Sequence, residues 1–411
     1  MTAMKLLRLL LLLALAGSAH AADWPQFLGP ARNGVSTETN LATTWPKDGP
    51  PVVWQRKTGT GWSGAVTAAG KVILFHRVGD EEIVECLNAT NGVTLWKFPH
   101  PTRYQDGHGF DNGPRATPAI AGGKVYTFGA EGALHCLELA TGKNIWSVDT
   151  KKDFGTDQGF FGMACSPLVE GGVVILNLGG SGGAGIVGFD QETGQVRWKA
   201  TEEGASYSSP VAATFGGKRR VLVFARDGLV ALAPADGKVL WEFPWKPAIR
   251  ASVSAAVPLV VEDRIFISAS YGAGAALLRY AEPEPEKIWS GDDVLSNHYA
   301  TSLQHDGFLY GFDGRQEQGC RLRCVEWKTG KVRWSEDGLG AGTLLVAGGR
   351  LLLLTEKGEL LLADASPEKF TVRSRAQILP FESRSHAAVA DGRLVARGKG
   401  RLVCVDLRTV K

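Results

Sequence analysis

Short apolar runs recur along the chain, and each leads through a polar, glycine-containing turn to a tryptophan. Residues 136–146 (CLELATGKNIW) and residues 324–334 (CVEWKTGKVRW) show the pattern clearly. Apolar runs bounded by turn residues are typical of buried strands, and Thr-Gly turns join two antiparallel strands. The tryptophan then lies on the second strand, where its large apolar surface can pack against a neighbouring sheet. The pattern predicts six docking tryptophans: Trp96, Trp146, Trp198, Trp241, Trp289 and Trp334.

The repeat has a period that suits one blade of a β-propeller. Trp54 and the six docking tryptophans follow one another at intervals of 42 to 52 residues, and a four-stranded blade takes about 40 to 50 residues. A second recurring element is a small or hydroxyl-bearing residue, often followed by proline, as at residues 116–118, 165–167 and 208–210. Counting the copies of this element along the chain gives eight units.

Three units depart from the pattern. The copy ending at Trp289 has Pro285 where the others have glycine, and the seventh unit has no tryptophan. The eighth stops at residues 403–406, whereas residues 51–54 (PVVW) stand alone near the start of the repeats. Because an open sheet edge is a liability, we expect residues 51–54 to complete the last blade. The sequence therefore predicts an all-β fold, an eight-bladed β-propeller of four-stranded antiparallel blades closed by its N- and C-terminal strands in one blade.

The repeat resembles that of the PQQ-like β-propeller family, where PQQ is pyrroloquinoline quinone. The resemblance is carried by the Thr-Gly-x-x-x-Trp turns and by the opening residues 23–30 (DWPQFLGP) with residues 32–34 (RNG), which look like the start of a group of exported bacterial members. It covers nearly all of the chain from Asp23 onward. The family includes quinoprotein alcohol and glucose dehydrogenases as well as non-enzymatic scaffolds such as an outer-membrane assembly lipoprotein. The resemblance therefore implies the propeller fold and leaves both an enzyme and a scaffold open.

Composition and charge narrow the class of protein. The formal net charge is only +3 over 411 residues, so we expect no nucleic-acid partner, which would require a basic excess. Residues 1–21 are typical of a cleaved signal peptide, with a short apolar run at 9–16 and a small-x-small site at 19–21. The run is shorter than the roughly 20 residues of a membrane span. We therefore expect residues 22–411 to be one propeller domain, periplasmic or secreted, monomeric and without a membrane span.

Two further motifs are interpreted as structural rather than functional. Three of the six cysteines lie ten residues before a docking tryptophan, so we expect buried cysteines in separate blades rather than disulfides, whose Cα atoms must come within about 7 Å. Residues 180–185 (GSGGAG) match G-x-G-x-x-G, but a strand follows, whereas a dinucleotide site needs a helix there. No spacing of histidine and acidic residues marks a metal site, and no catalytic residue is assigned.

One candidate site remains, at the mouth of the central channel. Residues just before the repeated small-residue strands should converge there by pseudo-symmetry. Their aromatic rings and cations suit a flat anionic ligand, held by stacking and charge-assisted hydrogen bonds. The competing interpretation is that they only fill the channel or dock a partner. The candidates are Trp62, Arg115, Phe161, Tyr207, Arg250, His298, Arg384 and His386.

Three functions are compatible with these observations. We favour a non-catalytic exported scaffold that binds an unknown protein, or a small-molecule or glycan ligand, at its central face, and we expect no cofactor. The second is a PQQ-dependent periplasmic alcohol or sugar dehydrogenase, for which the resemblance implies calcium, a catalytic aspartate and adjacent cysteines. The chain has no adjacent cysteine pair, although PQQ with calcium stays open. The third is carbohydrate binding, because Trp62, Phe161 and Tyr207 could stack on sugar rings.

Overall fold

The fold is an eight-bladed β-propeller, as the sequence predicts. A computed structural model describes residues 23–157, 159–249 and 253–409; the predicted signal peptide and Arg250 lie outside the described residues. Eight four-stranded sheets are present, and every pairing within them is antiparallel. Within the described residues, the helical segments are one short α-helix, α1 (Thr150–Phe154), and one 3-10 turn, Gln316–Gln318. Neither is long and apolar enough to cross a membrane.

The blades follow the chain, and in all but the last the four strands are consecutive, with the first strand innermost. The strands of blades 1 to 4 are β2 (Val66–Ala68), β3 (Lys71–Val78), β4 (Glu81–Asn88), β5 (Thr94–Pro101), β6 (Ala119–Ala121), β7 (Lys124–Phe128), β8 (Ala133–Glu138), β9 (Asn144–Asp149), β10 (Leu168–Glu170), β11 (Val173–Asn177), β12 (Ile186–Asp190), β13 (Val196–Ala200), β14 (Val211–Phe215), β15 (Lys218–Phe224), β16 (Gly228–Leu232) and β17 (Val239–Pro244).

The strands of blades 5 to 8 are β18 (Leu259–Val261), β19 (Arg264–Ala269), β20 (Gly274–Arg279), β21 (Glu286–Gly291), β22 (Leu303–His305), β23 (Phe308–Asp313), β24 (Arg321–Glu326), β25 (Val332–Glu336), β26 (Gly342–Ala347), β27 (Arg350–Thr355), β28 (Glu359–Asp364), β29 (Val372–Gln377), β30 (Ala388–Ala390), β31 (Arg393–Gly398), β32 (Arg401–Asp406) and, as the outermost strand of blade 8, β1 (Val52–Lys57). β1 pairs with β32, which confirms the predicted closure and removes the open edge between first and last blades.

The recurrent tryptophans bind each blade to the next. Trp96 of blade 1 donates its indole N–H to the carbonyl of Leu139 in blade 2, at 3.0 Å. Its ring lies against Gly142, where an added Cβ would stand 2.5 Å from the ring and where φ is +75°. The turn therefore needs glycine both for its backbone conformation and for close approach of the indole. The same bond to the next blade joins Trp54 to Ala89, Trp146 to Gln191, Trp198 to Pro234, Trp289 to Trp327 and Trp334 to Ser366.

Trp241 is the exception, because the fifth blade carries the degenerate turn with Pro285. Its buried indole N–H has no hydrogen-bond partner among the described residues. Its ring lies 5.7 Å from that of Tyr280, which stacks on Phe215 at 3.9 Å. Aromatic packing therefore replaces the indole hydrogen bond between blades 4 and 5.

The residue opposite each tryptophan faces the indole across the strand pair. Cys86, Cys136, Cys324 and Cys404 are such partners, and all six cysteines of the chain are buried and free, as expected. In the fifth blade the partner of Trp289 is Leu277. This partner lies twelve residues before its tryptophan rather than ten, because the proline-containing turn is longer.

In the seventh blade, Trp45 takes the place of the missing docking tryptophan. Ser374 stands at the equivalent position and accepts a hydrogen bond at 2.8 Å from the backbone N–H of Trp45. The Trp45 ring packs into a small gap lined by Leu362 of blade 7 and Leu407 after blade 8. Trp45 precedes the repeats in sequence, so the segment before β1 takes over the joint between blades 7 and 8.

The same segment, residues 23–49, crosses one end of the central channel. Trp24 pairs with Thr67 in blade 1, and Val35 pairs with Val346 in blade 7. Between them the fully buried Arg32 donates to backbone carbonyls of blades 3 and 4, including that of Pro210 at 2.8 Å. Burial lowers the pKa of Arg32 to about 10, so its guanidinium stays charged at neutral pH. The segment thereby closes this end of the channel.

Candidate functional site

A cavity of about 470 Å³ lies at the other end of the channel. Every candidate except Arg250, which lies outside the described residues, lines it. They come together because each stands on a connection between the outermost strand of one blade and the innermost strand of the next. Whether they bind a ligand stays a prediction. The seven are Trp62, Arg115, Phe161, Tyr207, His298, Arg384 and His386.

The floor of the cavity is made by the crossing segment and a belt of hydroxyls. Phe27 meets His386 edge-on, with ring centroids 5.1 Å apart. Each hydroxyl of the belt accepts the backbone N–H of the blade before it: Thr117 from Gly64 at 3.1 Å, Ser166 from Thr117 at 2.9 Å and Ser209 from Ser166 at 2.9 Å. The belt explains the repeated hydroxyl residue of the sequence. Together with Phe27 it makes the cavity blind.

Arg115 holds a loop in place. Its guanidinium donates to the buried carboxylate of Asp106 and to the backbone carbonyls of Asp111 and Gly113. Asp106 in turn accepts the backbone N–H of His108 at 2.8 Å. These bonds fix the connection between β5 and β6, which carries part of the cavity wall.

Arg384 is the second arginine that lines the cavity. Its Nε lies 2.8 Å from a carboxylate oxygen of Glu356, and the same oxygen accepts the phenol proton of Tyr299 at 3.0 Å. Neither Nη group has a hydrogen-bond partner among the described residues, so both can donate to a ligand. The guanidinium carbon lies 4.6 Å from the Trp62 ring centroid and 5.7 Å from that of Phe110, contacts typical of cation–π stabilisation.

Trp62 already has its π surface engaged. The guanidinium carbon of Arg115 lies over its ring at 4.9 Å, in addition to that of Arg384. The rings of Phe161 and Tyr207, with centroids 5.6 Å apart, form a second aromatic wall. The phenol oxygen of Tyr207 accepts the backbone N–H of Phe160 at 3.0 Å, which fixes this wall. Phe161 and Tyr207 therefore offer a second stacking surface, which the His108 ring joins with its centroid 5.4 Å from that of Phe161.

A polar pair on the opposite wall was not foreseen from the sequence. The phenol of Tyr271 lies 3.0 Å from Nε2 of His298, whose Nδ1 is 4.0 Å from a carboxylate oxygen of Glu317. Burial lowers the pKa of His298, so the imidazole is neutral at pH 7 and Nε2 can accept the phenol proton. Arg315 covers the Tyr271 ring at 4.7 Å. Tyr271 and Glu317 stand in loops that do not repeat, so the blade pattern carries no signal for them.

A family profile described as "Outer membrane protein assembly factor BamB" (PQQ_2) matches residues 79–336 and 316–411. This chain belongs to that family.

Curated relatives fall into the family's two kinds of protein. The assembly factor BamB of Yersinia pestis is 22% identical over 278 residues, 64% of this chain and 66% of the relative. Quinohemoprotein alcohol dehydrogenase ADH-IIG of Pseudomonas putida is 29% identical over 222 residues, 48% of this chain and 30% of the enzyme. The chain thus spans less than two thirds of the length of either relative.

Solved structures agree on the fold. BamB from Moraxella catarrhalis superimposes with a TM-score of 0.66 at 16% identity, covering 87% of this chain and 99% of that structure. Quinohemoprotein alcohol dehydrogenase from Comamonas testosteroni gives the same TM-score at 16% identity, with 95% and 81% coverage. At these identities the likeness shows the propeller architecture and nothing about the ligand.

The cavity does not fit the calcium ion that the quinoprotein members imply. Calcium takes six to eight oxygen ligands, with carboxylates among them. Of the described residues that line the cavity, only Glu317 carries a carboxylate, and it is already near His298 and Arg315. No group of three or more His, Cys, Asp or Glu in the described parts of the chain could hold a metal ion. We therefore derive no redox step through PQQ and calcium.

Proposed function

We propose that this member of the BamB family is an exported, non-catalytic propeller that binds a ligand in the blind cavity at its mouth. The observation that carries the proposal is Arg384, which lines the aromatic-walled cavity and whose two Nη groups have no hydrogen-bond partner among the described residues. The ligand best matched to this site combines a flat ring with one acidic group, in either a small molecule or part of a protein.

The walls decide which ligands are favoured. Aromatic and aliphatic side chains make up half of the described residues that line the cavity, and polar side chains make up the other half, so the site can combine apolar contact with directed polar contacts. A ring can lie against Phe161 and Tyr207, while a carboxylate can form a two-pronged, charge-assisted bond with Arg384. Because Glu356 partly offsets the arginine charge, a single acidic group suits the site better than several.

Two observations support export and a binding role. Residues 1–21 have the pattern of a cleaved signal peptide. The family profile describes an outer-membrane assembly factor, so the family includes a propeller named for assembly rather than for a reaction. We propose the same compartment, periplasmic or secreted, for this chain, which we expect to be monomeric.

A thermal-shift titration with matched acids and alcohols tests the proposal. A ligand that binds only the folded state raises the melting temperature by mass action. We expect a saturable rise with phenylacetate or a similar aromatic acid, little rise with the corresponding alcohol, and loss of the rise in Arg384→Gln. Arg219→Gln removes an exposed ion pair with Glu170 on the outer surface and should leave the shift unchanged. Equal shifts in the acid and alcohol series, or no shift for any acid, would contradict the proposed ligand class.

The quinoprotein relatives keep a dehydrogenase as a second candidate. Titration with PQQ, with and without calcium, followed by dye reduction with alcohols and sugars, separates the two. Calcium-dependent binding with turnover would replace our proposal by an enzyme. We expect any PQQ binding to be independent of calcium, because the cavity lacks the carboxylates that the ion needs.

Carbohydrate binding is favoured by one observation, the partly exposed aromatic wall of Phe161 and Tyr207. If sugars stack there, Tyr207→Ala should weaken binding to a glycan panel more than Trp62→Ala does, because two arginines already lie over Trp62. An absence of binding across neutral and acidic glycans would remove this alternative.

A further inference from the structure

Two buried histidines meet at the joint between blades 1 and 2. His100 on β5 and His135 on β8 are 8% and 9% exposed, and their ring centroids lie 4.4 Å apart. Nε2 of His100 is 3.0 Å from a carboxylate oxygen of the buried Glu82, and Nδ1 of His135 is 2.8 Å from the hydroxyl of Ser147. Neither histidine lines the mouth cavity. The pair is therefore a buried titratable group that the proposed binding site does not use.

The pair leaves hydrogen-bonding capacity unused. Nδ1 of His100 and Nε2 of His135 are buried without a hydrogen-bond partner among the described residues, and so is the hydroxyl of Thr127, which is paired with His135 in register. Buried polar atoms without partners are unfavourable, and water would satisfy them if the joint opened. The free energy of opening this joint is lowered accordingly.

The surroundings of the pair disfavour an added proton. Burial and the neighbouring His100 lower the pKa of His135 to about 3, whereas an exposed imidazole titrates near 6.5. The closed joint thus binds fewer protons than the opened joint between these values, so it loses stability as pH falls from about 6.5 toward 3. The groups that face the pair are the carboxylate of Glu82 from β4, the rings of Phe75 from β3 and Phe98 from β5, and the hydroxyls of Thr127 from β7 and Ser147 from β9.

The joint is connected to the cavity wall through a single residue, Ala130. Glu82 accepts the backbone N–H of Ala130 at 3.0 Å, and the carbonyl of Ala130 accepts the backbone N–H of Met163 at 2.9 Å. Met163 follows Phe160 and Phe161, which line the cavity. Opening of the joint at Glu82 therefore releases the connection that carries one aromatic wall.

We propose that His100 and His135 form a proton-operated latch, in which a proton taken from solvent by His135 opens the joint between blades 1 and 2 and loosens the cavity wall at Phe161. The imidazolium of His135 needs an acceptor at both nitrogens, and in the closed joint only Ser147 is recorded beside it. Histidines act as pH sensors in this way at other protein interfaces. The latch goes beyond the proposed function, because it regulates the wall whatever ligand the cavity takes.

Hydrogen exchange followed by mass spectrometry, at pH 7 and pH 5, tests the latch in the full mature chain. Protection factors remove the direct effect of pH on the exchange chemistry, and blade 5 serves as the reference for a change in overall stability. We expect protection of residues 128–135 and 159–164 to fall on the order of tenfold more than that of β18 to β21 between the two pH values, because the opened joint gains a proton.

Matched variants locate the latch. His135→Asn keeps a hydrogen-bonding amide near Ser147 but takes up no proton, so the extra loss of protection at pH 5 should disappear. His100→Gln keeps a donor for Glu82 and removes the neighbouring imidazole, so the extra loss should become smaller. His305→Asn, at a histidine on β22 of blade 6, should leave it unchanged.

Two results would overturn the latch. One is an extra loss of protection in His135→Asn as large as in the unmodified protein, and the other is no extra loss in the unmodified protein. Neither measurement contains a ligand, so Arg384-dependent binding of phenylacetate would still support the proposed function if the latch fails.

Discussion

Arg115 and Arg384 come from corresponding connections between blades and lie over the same tryptophan, yet their surroundings give them different roles. Arg115 donates hydrogen bonds to Asp106 and to the backbone of its own loop, whereas the Nη groups of Arg384 have no hydrogen-bond partner among the described residues. Position in the repeat therefore decides where a side chain lies, and the hydrogen-bond partners decide whether it is free to bind.

Limited trypsin digestion separates the two roles. Arg115→Gln should loosen the loop that follows β5 and speed cleavage after the exposed Arg103, because the loop loses three hydrogen bonds and opens more easily. Arg384→Gln should leave that cleavage rate unchanged. Equal rates in Arg115→Gln and the unmodified protein would show that Arg115 does not hold the loop.

His386 gives the molecule a pH-dependent stability. Burial lowers the pKa of its imidazole to about 4, while an unfolded chain titrates near 6.5. The unfolded state thus binds more protons between these values, so this group lowers stability as pH falls from about 6.5 toward 4 and leaves it unaffected above 6.5. We expect His386→Gln to reduce the loss of melting temperature between pH 7 and pH 4.5. An identical loss in both proteins would contradict the assignment.

At the scale of the element, each blade is joined to the next by an indole on a glycine turn. Gly142 and Gly123 both lie on turns of blade 2, at φ +75° and +73°, but only Gly142 has a ring against it. Alanine at either site is destabilised by the left-handed backbone conformation. The difference between the two variants therefore isolates the contact with Trp96. We expect Gly142→Ala to lower the free energy of unfolding by about 1–3 kcal/mol more than Gly123→Ala, measured by denaturant titration. Equal losses would mean that the indole contact adds little.

The joint between blades 7 and 8 depends on a residue outside the repeat. Trp45→Ala should lower the free energy of unfolding by about 2 kcal/mol, less than a fully buried tryptophan, because the ring is partly exposed. Leu95→Ala, at a side chain 49% exposed on β5, serves as the control and should change little. A loss no larger than that of the control would show that Trp45 does not replace the missing docking tryptophan.

Regularity determined how much could be predicted. The blades, their closure through Trp54 and the convergence of residues such as Phe161 and Tyr207 all follow from a pattern that occurs many times. Phe27, Tyr271 and Glu317 occur once, in a segment and loops without a repeat, so no period points to them. The distinction between Arg115 and Arg384 depends on hydrogen-bond partners far apart in sequence, which a repeat pattern does not contain.

For the molecule as a whole, the central property is a channel closed at one end and open at the other. Eight blades place their connecting loops around one mouth, and the segment before β1 crosses the opposite end and supplies Phe27 to the floor. The result is a cavity of about 470 Å³ at the mouth, with Phe27 of the crossing segment in its lining.

Calorimetric titration of an aromatic acid into the mature protein and into Ala164→Phe tests most directly whether this cavity is the binding site. Ala164 lines the cavity, so phenylalanine there occupies ligand space while the blades remain intact, which an unchanged melting temperature would verify. We predict that binding is lost in Ala164→Phe. Undiminished binding in a variant of normal stability would show that the ligand site lies elsewhere on the propeller.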